Sequence, residues 1–163
     1  MVYDLIDTPL GPVAVTGDDE GIRQIAFQEG RLPLTIEDHW QRDPSFLHAA
    51  RRQITAYFAG ELQCFDLALA PVGTDFQQRV WRALKQIPYG QLVSYRDIAA
   101  AIGNPRACRA VGGANGKNPI PIVIPCHRVI GSQGQLVGYG EGLDIKKKLI
   151  DLELTGLKKN KVK

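Results

Sequence analysis

The chain has 163 residues, 44% of them hydrophobic, and a formal net charge of +3. That length suits one domain or two small ones sharing an interface, and that hydrophobic share excludes a disordered chain. The opening Met1-Val2-Tyr3-Asp4-Leu5 has no basic n-region and no long apolar run, so neither a secretory leader nor a membrane span is expected. The three cysteines, Cys64, Cys108 and Cys126, are dispersed. This argues against a disulfide framework and against a metal site, which would cluster its Cys and His ligands. Free thiols suit a reducing compartment, so a cytoplasmic location is expected.

The small net charge hides an asymmetry. Residues 1–70 carry 5 Lys and Arg against 11 Asp and Glu, a net of −6, whereas residues 71–163 carry 15 against 6, a net of +9. A basic half beside an acidic half points to a polyanionic partner for the second half. The alternative is a solvated basic surface, with Lys158, Lys159, Lys161 and Lys163 supplying part of the excess.

Strands are predicted at 2–6, 13–16 and 22–27, separated by the turn-forming stretches Thr8-Pro9-Leu10-Gly11-Pro12 and Gly17-Asp18-Asp19-Glu20-Gly21. After a polar stretch, Ser45 can cap a helix with Phe46, Ala50, Ile54 and Phe58 at intervals of four, ended by Gly60. Residues 64–69 read as one more strand. Nothing in residues 1–70 carries catalytic chemistry, and this half reads as a scaffold. Ala70-Pro71-Val72-Gly73 marks a boundary.

Thr74 or Asp75 then opens a helix with Phe76, Val80 and Leu84 on one face, stopped by Pro88-Tyr89-Gly90. Ser94 with Asp97 forms a capping-box pattern that starts a short helix through 102. A Gly103-Asn104-Pro105 turn leads to a second short helix over 106–114, rich in small residues. Two short helices joined in this way have the pattern of a helix-turn-helix, a pattern shared with helical hairpins that bind nothing. Residues 120–125, Ile-Pro-Ile-Val-Ile-Pro, read as an apolar strand that delivers Cys126-His127 into the core. A Gly-rich hairpin over 131–142 follows. The last helix, 143–154, has Leu143, Lys147, Ile150 and Leu154 on one stripe, with Leu149 and Glu153 beside it. The expected fold class is α/β in two small domains: an N-terminal antiparallel sheet with a helix over 1–72, and a helical domain with the helix-turn-helix over 73–157. A basic disordered tail is expected over 158–163.

Cys126 beside His127 is the focus of the chemistry. A free thiol titrates near about 8.5, and a neighbouring imidazole can lower that to roughly 3.5–7.5 and supply a thiolate. The competing reading is a buried structural cysteine followed by an unrelated histidine.

Residues 76–154 resemble the catalytic domain of the methylated-DNA–protein-cysteine methyltransferases. The matching stretches are Phe76-Gln77-Gln78-Arg79-Val80-Trp81, Ile87-Pro88-Tyr89-Gly90, Ser94-Tyr95, Arg109 through Pro119, Ile124-Pro125-Cys126-His127-Arg128-Val129-Ile130, and Gly138-Tyr139. Thr8-Pro9-Leu10-Gly11-Pro12 and Tyr57-Phe58-Ala59-Gly60 are similar to the family's amino-terminal domain. The resemblance implies DNA repair by single-turnover, irreversible transfer of an alkyl group from guanine O6, and from thymine O4, in duplex DNA to Cys126. It implies that His127 takes the thiol proton through a water and that Glu153 orients and charges that histidine, the nucleophile, base and orienter arrangement of thiol enzymes. Tyr139 would donate to the departing guanine oxygen, Asn118 would brace the turn before the active-site strand, and Gly140 with the Val129 carbonyl would read the base. Arg109 would fill the place of the extruded nucleotide and Tyr95 would drive it outward, on a slim helix admitted by the minor groove. No cofactor and no metal are implied, and the partner is double-stranded DNA bound by a monomer.

The sequence departs from common family members at Cys108, where a plain small residue is usual, and at Leu152, where a histidine is frequent. A DNA-binding relative without transfer activity would lack the Cys126-His127 pair. A cysteine hydrolase using Cys126, His127 and Glu153 would have no use for Arg109. A helix-turn-helix regulator would need polar reading residues that 106–114 lacks.

Overall fold

The computed structural model describes residues 1–162. Strands β1 (Val2–Ile6), β2 (Val13–Asp18) and β3 (Gly21–Phe27) form the antiparallel meander expected from their turns. Thr8 closes the first turn by donating its hydroxyl to the Gly11 carbonyl at 2.7 Å. The sheet order is β3-β2-β1-β4, where β4 (Gln41–Arg42) pairs parallel with β1. Two polar residues without alternation gave no strand signal. They are held from the side: Arg42 and Arg51 converge on the fully buried Asp4 at 3.2 and 2.9 Å.

Helix α1 (His48–Phe58) begins two residues later than the expected Ser45 cap allows. Asp43 takes the Phe46 N–H instead, at 3.0 Å, and Phe46 lies exposed. The buried face of α1 carries Ala50, Ile54, Tyr57 and Phe58. Residues 64–69 do not form a strand. Leu69 makes one parallel bridge to Ile22, and Gln53 captures the stretch by bonding both backbone groups of Asp66 at 2.8 and 2.9 Å.

The second half is helical. Helix α2 (Asp75–Leu84) has a complete Thr74–Gln77 capping box and buries Val80, Trp81 and Leu84. Helix α3 (Tyr95–Ala101) has the Ser94–Asp97 box that its sequence announces. Helix α4 (Cys108–Gly116) starts two residues later than expected and has no side-chain cap. Trp81 on α2 donates its indole N–H to the Ala114 carbonyl of α4 at 2.9 Å.

Residues 120–125 are buried as expected but are not a strand. Pro119, Pro121 and Pro125 remove three backbone donors, and the chain folds into tight turns with Ile122 at φ 75°. They lead into a 3₁₀ turn, Cys126–Arg128, and then β6 (Val129–Ile130), which pairs parallel with β5 (Val93–Ser94). Residues 131–142 form a loop, not a hairpin.

Helix α5 (Leu143–Val162) runs past the expected end at 154 and through most of the expected disordered tail. Leucine and lysine are good helix formers, and no proline interrupts them. Lys163 lies outside the described residues. The buried stripe is Lys146, Leu149, Ile150 and Glu153, while Leu143, Lys147 and Leu154 face solvent. The expected stripe failed because two positions of the observed one, Lys146 and Glu153, are charged.

Gly90 shows how tightly α5 meets the turn after α2. It adopts φ 77°, and a Cβ there would enter the Leu157 side chain. Gly90→Ala should cost on the order of 2 kcal/mol of stability. Urea unfolding would read this, and an unchanged midpoint would contradict the packing described.

Candidate active site

Cys126 opens the 3₁₀ turn and is 4% exposed. The turn ahead of it is pinned by Asn118, whose amide donates to the Ile124 carbonyl at 2.8 Å and whose oxygen accepts from the Ile120 N–H at 3.0 Å. Asn115, on α4, donates to the carbonyl of Cys126 itself at 3.4 Å. Burial pushes the Cys126 thiol up to about 11, and a bond from Asn118 and the charge of Lys146 offset only part of this. The expected lowering by a neighbouring imidazole is therefore overturned. Desolvation of the thiolate wins, and the group rests as a thiol.

His127 is fully buried, with Nε2 2.6 Å from Glu153 Oε2, while Nδ1 has no protein partner among the described residues. The Glu153 carboxylate collects donors from several segments. The Tyr57 hydroxyl reaches Oε2 at 2.6 Å and the Gly90 N–H reaches Oε1 at 3.0 Å. Arg128 donates Nε to Oε1 at 2.8 Å and Nη2 to Oε2 at 3.0 Å. Burial works against the Glu153 anion, but the bonds and charges of His127 and Arg128 outweigh it and hold the carboxyl well below its ordinary range. Burial also presses the imidazole of His127 below its ordinary range, more than Glu153 restores. A charged His127 would deepen the Glu153 shift, but Arg128 keeps Glu153 ionised without it. His127 is thus neutral at pH 7, with its proton on Nε2 facing Glu153 and a lone pair on Nδ1.

The loop 131–142 supplies the rest of the site. Tyr139 is buried, with its hydroxyl lacking a partner among the described residues. Burial, then the nearby Cys126, pushes its pKa well up. Gly140 passes so close to the Gly116 carbonyl that a Cβ would come within 2.9 Å, which explains the glycine. Tyr95 donates its hydroxyl to the Val137 carbonyl at 2.9 Å, and so ties α3 to this loop. The Val129 carbonyl already takes a bond from the fully buried Lys146 ammonium at 2.5 Å, and Val137 takes a second at 2.7 Å. Burial lowers Lys146 to about 8.

Cys126, His127, Glu153, Asn118, Tyr139, Val129 and Gly140 therefore belong to one neighbourhood. Arg109 does not join it: it lies exposed near the start of α4 and makes no side-chain hydrogen bond among the described residues. Sequence reasoning missed Tyr57, Arg128, Asn115 and Lys146. The first three lie inside stretches already singled out. Lys146 gave no signal, because apolar patterning assigns a lysine to the solvent face. Among the described residues no group of three or more His, Cys, Asp or Glu side chains comes together to hold a metal.

Comparison with known proteins agrees with this geometry. The model described as "6-O-methylguanine DNA methyltransferase, DNA binding domain" matches residues 75–155, and the corresponding "ribonuclease-like domain" model matches residues 1–71. The chain belongs to the O6-methylguanine DNA methyltransferase family. Among relatives named methylated-DNA–protein-cysteine methyltransferase, that of Methanosarcina acetivorans is 52% identical, over 94% of this chain and 98% of its own. That of Mycobacterium tuberculosis is 50% identical, over 93% and 91%. The crystal structure of M. tuberculosis OGT in complex with DNA superposes with a TM-score of 0.88 at 49% identity, covering 96% of this chain and 94% of the other. The Pyrococcus kodakaraensis O6-methylguanine-DNA methyltransferase gives 0.68 at 26% identity, covering 93% and 98%. This family likeness spans both halves of the chain, and Tyr57 on α1 meets Glu153 on α5 across them.

The Glu153 cluster sets a measurable pH dependence. Its carboxyl titrates lower in the folded than in the unfolded chain, so its contribution is present above the ordinary value of about 4.3 and fades as pH falls below it. Arg128→Met should cost about 3–5 kcal/mol at pH 7 by leaving a buried anion underpaired. That cost, read from urea unfolding, should shrink below pH of about 4. A cost that does not change with pH would show that Glu153 is not the ionised partner.

Proposed function

We propose that this chain repairs alkylated DNA by moving the alkyl group from guanine O6, and from thymine O4, to Cys126, once per molecule. As a member of its family it is a methyltransferase of DNA repair; the acceptor residue, the single turnover and the roles below are our reading. The observation that carries it is a buried thiol grouped with an ionised Glu153, a neutral His127 and an unpartnered Tyr139 hydroxyl.

His127 Nδ1 takes the thiol proton through a water as the substrate arrives, and Glu153 stabilises the imidazolium that forms. The Cys126 sulfur then attacks the alkyl carbon. A carbon–sulfur bond forms, the carbon–oxygen bond breaks, and its electron pair stays on the guanine oxygen. Tyr139 donates to that oxygen as charge develops there. One proton leaves sulfur and one is gained by guanine, so no redox cofactor is consumed. The product thioether has no ready route back to a thiol, which makes the reaction stoichiometric. Asn118 and Asn115 hold the turn that presents Cys126, while Val129 and Gly140 line the base pocket.

The basic second half and helix α4 support duplex DNA as the partner. On α4, a Cβ added at Gly113 or Gly116 would meet nothing within 4 Å. The protein's own packing does not require those glycines, but a helix entering the narrow minor groove does. Arg109 stands exposed on this helix, free to occupy the stack when a base is turned out, and Tyr95 lies between α4 and the pocket loop. The division of labour follows the chain: over 1–72 a scaffold that also lends Tyr57 to the site, and over 73–157 a DNA-binding transferase, acting as a monomer in the cytoplasm. Among the described residues no helix is long and apolar enough to cross a membrane.

The test uses duplex DNA carrying one O6-methylguanine. Repair should plateau at one methyl per chain, with peptide mass mapping placing it on Cys126. Arg109→Ala should slow duplex repair far more than reaction with the free alkylated base, since only the duplex requires extrusion. Turnover beyond one equivalent, or label on Cys64 or Cys108, would contradict the reading.

A further inference from the structure

Glu141 stands where the first half of the chain meets the loop that carries Tyr139 and Gly140. It is only 8% exposed, and its Oε2 has no partner among the described residues. The segment after β3 lies directly on it. Arg31 donates its backbone N–H to the Glu141 carbonyl at 3.4 Å. Gly30 approaches so closely that a Cβ there would lie 2.6 Å from Oε2 and 3.2 Å from Ile145 Cδ1. Two residues on, Leu32 covers Gly140, where a Cβ would come within 3.3 Å of its Cδ1. Residues 30–32 and 140–141 thus form a single seam, and Tyr139 is the next residue along the loop.

A buried carboxyl with an unbonded oxygen is tolerated in its neutral form and resisted as an anion. Burial pushes Glu141 up to about 7, and the Phe27 amide offsets only part of that. The charged groups around it do little for an anion. The segment following β3 contributes Glu29, Arg31 and Glu37, the turn after α4 contributes Lys117, and α5 contributes Asp144. None of them bonds Oε2. On the pocket side lie Cys126 and Tyr139, and a negative Glu141 raises the pKa of both. The Lys146 ammonium is committed to the carbonyls of Val129 and Val137.

We propose that Glu141 is a positioning residue that acts in its protonated form, seating the first half of the chain against the pocket loop, so that its ionisation loosens this seam and slows alkyl transfer. The inference rests on the alkyl-transfer reading for its functional consequence, while its structural part stands alone. Glu141 titrates higher in the folded than in the unfolded chain. Its ionisation therefore costs stability progressively from about pH 4.3, the unfolded value, up to its folded value, and the loss is constant above that.

Glu141→Gln keeps the shape and stays neutral, so it should behave like the protonated parent at every pH. Thermal midpoints of the two proteins should draw apart between pH 4.5 and 7, with the variant higher, and stay apart at pH 8. Methyl-transfer rates should be similar below pH 6, and the variant should be several-fold faster by pH 8.5. The same trend should appear in alkylation of Cys126 by iodoacetamide, measured with Cys64 and Cys108 replaced by Ser. A constant difference in midpoint and a constant rate ratio across this range would overturn the proposal. If the parent transfers no methyl group at any pH, the functional reading fails, and the midpoint and iodoacetamide profiles still decide the role of Glu141.

Discussion

The buried carboxylate of Glu153 is the point on which the rest of the site depends. An anion removed from water is costly unless donors replace the solvent, and here they come from three segments. Tyr57 arrives from α1, Gly90 from the turn after α2, and His127 and Arg128 from the 3₁₀ turn, while α5 supplies Glu153 itself. Arg128 is locked further by its bond to the Ile87 carbonyl at 2.6 Å and lies 5.7 Å above the Tyr89 ring. The orientation of His127 is thus fixed by the assembly of both halves of the chain. The first half is more than a scaffold, because it contributes the Tyr57 hydroxyl to the innermost charge of the site.

The second constraint is the turn that presents Cys126. Ile122 adopts a left-handed conformation that a β-branched residue resists, at a cost of about 1–3 kcal/mol. Burial of Ile120, Ile122 and Ile124 offsets it, and Asn118 bonds the two ends of the turn together. The thiol delivered in this way is desolvated and stays protonated at rest. On the proposed reading that suits a residue used once, since burial slows the reaction of a thiol with small oxidants and stray electrophiles. On that reading, activation is deferred until a substrate is in place and His127 can take the proton. The expected thiolate pair would be reactive at all times.

Much of this architecture was legible in the sequence, and the failures have physical causes. The meander, the Ser94 capping box and the helices α2 and α3 follow from local patterns that tertiary packing did not override. The apolar run before Cys126 showed that it is buried but not its shape, because periodicity cannot separate a buried strand from a buried turn, and the prolines decided for the turn. The stripe on α5 was misread because Lys146 and Glu153 point inward, and apolar patterning has no means of seeing a charge that is satisfied by backbone carbonyls or by a paired guanidinium. Cys126 and His127 stood out as a pair in the sequence, and their roles, with Glu153, came from the family resemblance. What they do at rest came only from burial, which a sequence does not display.

The account turns on a neutral His127 beside a protonated Cys126. The direct measurement is nitrogen-15 NMR of the imidazole in a chain whose other two histidines, His39 and His48, are replaced by Gln. A neutral ring at pH 7, with its proton on Nε2, is the result this structure requires. A doubly protonated ring at pH 7, together with a thiolate at Cys126, would contradict it.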